Sequence, residues 1–501
     1  MLYNKNLNWA MAKKEGYKLA FRMGNRKQIN LLPVSIEEYV GASDPVRAYD
    51  AFVDRLDFSE LGIEIDEKKV GNSSFDPVSI MKLLVYGYSY GWRSSRKLER
   101  AVQHNMSFIW LMGGLKPDHK TIANFRKNNF DALEKVLKQC ARMCIELDLI
   151  DGNVFFVDGT KIRANASRCK NYTHEKYEKK LEEVDERIEQ LLLGCENIDA
   201  LEEEKESLVK MKEELHDQEK LKSAIETAMA KFKDIGLKTK NGKERTVNKT
   251  DPQCALMSSV QGSHASYNVQ SVVDEKNSLI VSMDANDITS DISQFASQIN
   301  NAEEVTGKEC KIAVADAGYA DIDELASIDS RGTTVIVPSK RQALHGEEKG
   351  FSKSDFSYNK EQDCYYCPCG EKLTYNKKAG DSKRLYYFIT DAKICAACKH
   401  FGKCTQSKDG RRIVRLANEE IKEKLEELYL KPESQEIYKK RQAKVEHPFG
   451  HIKRNLGMTN FLVRGQQGAK AEISLGATCF NIARMITIFG GVQGFLKAIT
   501  S

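Results

Sequence analysis

The sequence predicts an α/β protein: a mixed sheet flanked by helices, preceded by a helical unit and interrupted by two insertions, a helical hairpin and a cysteine-rich lobe. Three observations carry this. Short apolar, strand-like runs recur between 153 and 338 and alternate with helical patterns in their second half. Tyr177, Leu181, Val184, Ile188 and Leu191 step by four and three residues, the stripe of an amphipathic helix. Five cysteines fall within 364–398, with a sixth at Cys404.

At 501 residues the chain is long enough for more than one domain, and 41% hydrophobic content supports real cores. Charged residues make up 30%, above the ordinary ~25%. The net charge of +5 is mild, but its distribution is not even. Residues 86–130 and 436–470 each carry eight Lys/Arg against two Asp/Glu, while 174–233 is crowded with Glu. Two basic stretches suggest two polyanion-contacting surfaces. The N-terminus has no apolar run of signal-peptide length, and no window approaches the ~20 apolar residues of a membrane helix. Thirteen cysteines, an odd number in a long chain, argue against a secreted disulfide scaffold and for a reducing cytoplasm.

In chain order, residues 1–70 read as an irregular lead-in followed by short helices, with Ser35 and Glu38 in capping-box spacing. Asp76-Pro77 opens a helix, Ser94-Ser95 precede a basic one, and Asp118 caps another. Helix, turn and basic helix resemble a helix-turn-helix, so 1–150 is read as a helical DNA-binding region. Asn153–Val157 is a strand run ending at Asp158. The striped segments, with a break expected at 194–199, form a hairpin insertion over 170–250, closed by a polar, basic loop. Strands follow at 265–273 and 278–283, a helix from Asp291 to Val305, a strand at 310–315 ending at Asp316, a helix at 322–328 and a strand at 333–337. Hairpin strands followed by alternating helices and strands are the order of an RNase H-like core, placed at 151–338. Residues 339–415 form the cysteine-rich insertion, and 416–501 hold a long helix, with Pro448 inside it, and core-packing helices.

Candidate chemistry follows from this layout. Asp158 and Asp316 each close an apolar run and precede a small residue, a position at the rim of a sheet where ligands bind. Glu446, on a basic helix, supplies a third carboxylate. Acids of this kind can share divalent cations for phosphodiester cleavage. Cys367 and Cys369, with Cys395, Cys398 and Cys404, have zinc-ribbon spacing. The expected thiolate set is Cys367, Cys395, Cys398 and Cys404, with Cys369 as a substitute and Cys364 as a spare, stabilising a lobe that lacks a core of its own. Arg93, Arg96, Lys97, Arg100, Lys120, Arg126 and Lys127 would contact phosphates, while Trp92 reads as core.

The blocks FFVDGTKIRANASR, TDPQCALM, ASYNVQSVVD and ADAGYAD, together with DPVSIMKLLVYGYSYGWRSSRKLER and PDHKTIANFRKNN, resemble those of DDE-type transposases of bacterial insertion sequences, over nearly the whole chain. Tyr438, Arg441, Glu446 and Lys453 resemble that group's C-terminal Y-R-E-K signature, with four residues rather than three between Arg and Glu. The resemblance implies an RNase H-like catalytic domain using two Mg²⁺ ions, bridged by Asp158 and held singly by Asp316 and Glu446, for cleavage at element ends and strand transfer into target DNA. It implies phosphate contacts from Tyr438, Arg441 and Lys453. Implied partners are the terminal inverted repeats and target DNA, with a homodimer assembled on DNA, near the bacterial nucleoid and away from membranes. A catalytically inactive or domesticated DNA-binding relative and a stand-alone nuclease are the alternatives.

Overall fold

The computed structural model describes residues 35–65, 75–199, 205–239, 241–259, 262–343, 351–376 and 384–500, apart from the side chains of 194–208. Of the lead-in and short helices expected over 1–70, residues 1–34 and 66–70 lie outside the described residues, as do 200–204 within the expected hairpin.

The N-terminal region is helical: α1 (Pro45–Asp54), α2 (Phe58–Leu61), α3 (Pro77–Ser89), α4 (Ser95–His104), α5 (Met106–Leu111), α6 (His119–Asn128) and α7 (Phe130–Glu146). Local chemistry sets their starts. The Asp76 carboxylate accepts from the N–H groups of Val78 and Ser79, with Pro77 at the first turn, and Asp118 caps α6 through Thr121. Helix α3 buries Ile80, Met81, Leu83, Leu84, Val85, Tyr86 and Tyr88, so it is a core helix rather than a one-sided one. Trp92 stacks on Phe108 with ring centroids 5.4 Å apart, a packing role.

Strand β1 (Val154–Arg163) leads into the first insertion: β2 (Asn171–Tyr172), α8 (His174–Asp199), α9 (Lys205–Ile235) and β3 (Val247–Asn248). Tyr177, Val184, Ile225, Ala228, Phe232 and Val247 form a small separate core, so the stripe is satisfied within the chain. Helix α8 runs through to Asp199, past the break expected at Gly194. Antiparallel pairing of β2 with β3 closes the insertion at its root.

The main sheet continues with β4 (Ala255–Ser259), β5 (Gly262–Asp274) and β6 (Ile280–Asn286), then α10 (Phe295–Thr306), β7 (Ile312–Val314), α11 (Ile322–Asp329) and β8 (Thr334–Ile336). Its order is β4-β5-β1-β7-β8, with β6 also on β5. Read through β6, three antiparallel strands are followed by two parallel to β1, the expected order. β1 does not stop at Asp158. Gly159 to Arg163 stay paired with Gln270 to Ser266, which doubles the expected strand length.

The second insertion holds α12 (Lys340–Ala343), β9 (Ser357–Asn359), β10 (Cys364–Tyr366), β11 (Lys372–Tyr375), β12 (Arg384–Ile389), α13 (Ala392–Ala396) and β13 (Arg412–Leu416), the strands forming one antiparallel sheet. Contrary to expectation this lobe has its own core, of Phe356, Tyr365, Leu373, Tyr387, Ile389 and Ile413. Aromatic rings on neighbouring strands meet there, Tyr365 and Tyr387 at 5.1 Å.

The chain ends with α14 (Glu419–Leu430), α15 (Pro432–Gly450), a π-helical turn over His451–Asn455, α16 (Gln466–Ile488) and α17 (Val492–Thr500). One hydrophobic core runs from Val40 to Ile499, and buried α16 lies within it. The N-terminal helices therefore share their core with the sheet. No single described helix is long and apolar enough to cross a membrane.

Two arginines expected on a DNA-facing surface are part of this join. Arg93 and Arg126 are only 7% and 6% exposed. Arg93 Nη1 meets the fully buried Glu472 Oε1 at 2.6 Å, and its guanidinium donates to the carbonyls of Asn460 and Gly457 at 2.8 and 3.0 Å. Arg126 donates to the Arg93 carbonyl at 2.7 Å and lies over the Tyr88 ring. The other Glu472 oxygen accepts from the N–H groups of Leu462 and Val463. Removing one partner of such a pair leaves a buried charge uncompensated, at about 3–5 kcal/mol. Arg93→Met or Glu472→Ala is expected to lower the melting temperature sharply by calorimetry, and Arg93→Met combined with Glu472→Leu to recover part of the loss.

Candidate active site

The parallel pairing of β1 with β7 ends at Phe156 opposite Val314. Two residues on, at matching register, stand Asp158 and Asp316. Side chains two apart on a strand share a face, and neighbouring strands lie ~4.8 Å apart. Phe156 and Val314 pack with Ile336, Val445, Ile437 and Tyr438, so the face carrying the two acids is the one that α15 covers. Asp316 caps a short 3-10 turn, its Oδ1 accepting from Gly318 N at 2.7 Å.

Both following glycines are forced by space. A Cβ on Gly159 would lie 2.5 Å from Gln270 Nε2 and 2.8 Å from Asp291 Oδ1. One on Gly318 would lie 2.8 Å from Asp316 Oδ1. Beneath Gly159 is a polar network that sequence reading missed. Asp291 Oδ1 accepts from Asn268 Nδ2 at 2.8 Å and Gln270 Nε2 at 2.7 Å, and Gln270 Oε1 accepts the Tyr319 hydroxyl. Asn268 and Gln270 are fully buried on β5, so the network locks the Asp316 turn to the sheet. Two buried amides within an apolar alternating strand were the available signal.

Helix α15 brings cations to the acids. Arg441 Nη1 lies 3.6 Å from Asp158 Oδ1 and, though buried, has no hydrogen-bond partner. Arg441 also sits over the half-buried Tyr438 ring at 5.8 Å. Lys453, on the π-helical turn, donates to Thr160 Oγ1, two residues along β1 from Asp158. Burial pulls its ammonium below the usual lysine range, with Asp158 acting in the opposite direction.

Glu446 is not brought to the pair. It is exposed, its carboxylate accepts from Gln442 Nε2 at 2.9 Å, and the carboxylates that act on Asp158 are Asp316 and Asp291. Among the described residues no three His, Cys, Asp or Glu side chains converge closely enough to hold a metal. That holds in the cysteine lobe too. There Cys367, Cys369, Cys395, Cys398, Cys404 and His400 line one cavity of about 550 Å³. Cys369 and Cys398 sulfurs lie 3.6 Å apart, while backbone N–H groups of Glu371, His400 and Arg411 donate to Cys367, Cys398 and Cys395. Cys364 is buried elsewhere in the lobe. Every cysteine among the described residues is free. Arg96, Lys97 and Arg100 on α4 and Lys120 and Lys127 on α6 are exposed, and none forms an ion pair among the described residues.

Residues 366–486 match the Transposase DDE domain family, and residues 34–128 match a Transposase domain family (DUF772). The chain carries domains of DDE-type transposases. The first match takes in Tyr438, Arg441, Glu446, Lys453 and the cysteine lobe from Tyr366 onward, and the second the basic helices α4 and α6. No curated protein matches the transposase chain. A solved chain from a cryo-EM structure of the piggyBac transposase synaptic complex with hairpin DNA aligns over 92% of this chain and 79% of that one, at 9% identity and a TM-score of 0.33, a likeness too slight to argue from.

Burial above all, with Asp316 and Asp291 adding to it, outweighs Arg441 and pushes the Asp158 carboxyl up from 3.8 to about 6. The folded protein therefore holds this proton more tightly than the unfolded chain. The resulting stabilisation is complete below about pH 4 and is lost as pH rises through 6. Asp158→Asn is expected to melt a few degrees higher than wild type at pH 8 without metal, and at the same temperature at pH 4.

Proposed function

We propose that this transposase cleaves DNA at the ends of an insertion sequence and joins those ends to target DNA, using an RNase H-like core in which Asp158 and Asp316 are the central pair. The observation that carries this reading is their matched register on adjacent parallel strands, with cationic side chains from α15 and the turn after it close by. Two part-buried carboxylates at that separation repel and suit a hard divalent cation. Magnesium, when bound, would supply charge neutralisation at the attacking and leaving oxygens.

Asp158 and Asp316 would hold it, with Glu446 as the third carboxylate once the Pro448-containing end of α15 moves. Lys453 and Arg441 would grip phosphate oxygens, and the unpartnered Arg441 Nη1 is a donor in search of an acceptor. Tyr438 holds the Arg441 guanidinium by its ring face. Water is the nucleophile at the element end, and the freed 3′-hydroxyl attacks the target strand in line. Two ends require two sites, hence a homodimer on DNA. Arg96, Lys97, Arg100, Lys120 and Lys127 would contact the terminal repeats. In the insertion, thiols are soft donors suited to zinc, and backbone N–H donors to sulfur favour the thiolate. A structural zinc would be held by Cys367, Cys395, Cys398 and Cys404 drawn closer together, with Cys369 in contention because of its approach to Cys398.

A strand-transfer assay on the DNA flanking the gene tests the reading. Asp158→Ala, Asp316→Ala and Glu446→Ala are each expected to abolish magnesium-dependent cutting and leave end binding intact; an alanine variant that still cuts is not part of the site. The exposed position of Glu446 favours one rival, an inactive DNA-binding relative, and wild-type protein that binds ends without cutting them would establish it. Metal analysis is expected to find about one zinc per chain; zinc-free, folded protein would remove that assignment.

A further inference from the structure

The root of the helical hairpin carries a group of cations that its own fold leaves unpaired. Elsewhere on the hairpin several cations are matched: Lys179 with Glu175, Lys222 with Asp185, Arg187 with Glu214 and Lys231 with Asp287, at 2.7–3.0 Å. At the root the pattern stops. Arg168 and Lys170 sit on a 3-10 turn just after β1, Lys249 just after β3, and Lys180 near the start of α8. None of these four forms an ion pair among the described residues. The backbone holds two of them together, Lys249 N donating to the Lys170 carbonyl at 2.9 Å, while Lys180 Nζ lies 5.2 Å from the Tyr172 ring centre.

These cations act on one another. Burial, then Lys170, then Lys180 pull the Lys249 ammonium below its ordinary range. A protein that gathers like charges on a rigid two-strand ribbon gives up stability there, which a polyanion restores. β1 links this cluster to the candidate active site. From Asp158 to Arg163 it covers about 17 Å at ~3.3 Å per residue, about half a turn of duplex.

We propose that the hairpin root, through Arg168, Lys170, Lys180 and Lys249, is a phosphate-binding surface for duplex DNA whose strand is engaged at Asp158 and Asp316. It rests on the DNA-cutting reading above and adds a second duplex-binding surface remote from α4 and α6 in sequence.

The test is a salt series of affinity for a duplex of arbitrary sequence, comparing wild type with the Lys170→Gln/Lys180→Gln/Lys249→Gln variant. The log–log slope is expected to become shallower by about 2–3, near 0.9 for each phosphate that is no longer neutralised, with affinity down about tenfold or more at low salt. Melting temperature should stay level or rise, because repulsion is relieved; a fall in melting temperature with an unchanged slope would mark the cluster as structural and overturn the inference. An unchanged slope here, alongside a shallower one for Arg96→Gln/Lys97→Gln/Arg100→Gln, would also overturn it while leaving the DNA reading standing. An effect on a single strand but not on the duplex would overturn the duplex as occupant. Wild-type protein with no affinity for any DNA would bring down both readings.

Discussion

Mutual repulsion of Asp158 and Asp316 is the constraint around which this structure is arranged. Parallel pairing of β1 and β7 ends at Phe156 and Val314, and delivers the two carboxylates side by side just beyond it. The surrounding residues answer that problem in different ways. Glycines at 159 and 318 let the backbone and the Asp291 network come close enough to fix both acids from below. Arg441 pairs with Asp158 at 3.6 Å and Lys453 holds the neighbouring Thr160, yet burial outweighs the arginine and Asp158 stays protonated more readily than an ordinary carboxyl. A site balanced this way is incomplete in charge. It holds excess negative potential toward a cation and excess donors toward a phosphate, and both are components of phosphoryl transfer.

Much of this was legible in the sequence, for physical reasons that can be named. The order of strands followed from alternating patterns, because half-buried strands must alternate. Asp158 and Asp316 stood out because an acid directly after an apolar run is costly unless it faces an edge or a ligand. The helix starts at Asp76 and Asp118 were visible because capping is a local event. What stayed hidden was tertiary. Arg93 and Arg126 read as surface cations, since a single sequence does not show that Glu472, far along the chain, is buried beside Arg93. The continuation of β1 past Asp158 depends on β5, more than a hundred residues later. The cysteine lobe was expected to lack a core of its own, but in paired strands its tyrosine rings make one.

The shared core has a mechanical meaning. Helices α3 and α7 pack against α16, which also lies under β6. DNA held by the exposed faces of α4 and α6 would therefore pull on the same framework that carries the acids. Arg93 and Glu472 sit at that junction, where Glu472 also holds the turn at Leu462 and Val463. The helical region and the sheet are in this way joined by a buried electrostatic clasp rather than a flexible tether.

The π-helical turn at His451–Asn455 has one more consequence. Such a turn accommodates an extra residue without lengthening the helix, so everything beyond it is rotated relative to an unbroken α-helix. Lys453 owes its reach to Thr160 to that phase offset. With one residue fewer in this turn, the same lysine would point roughly 100° away from Thr160.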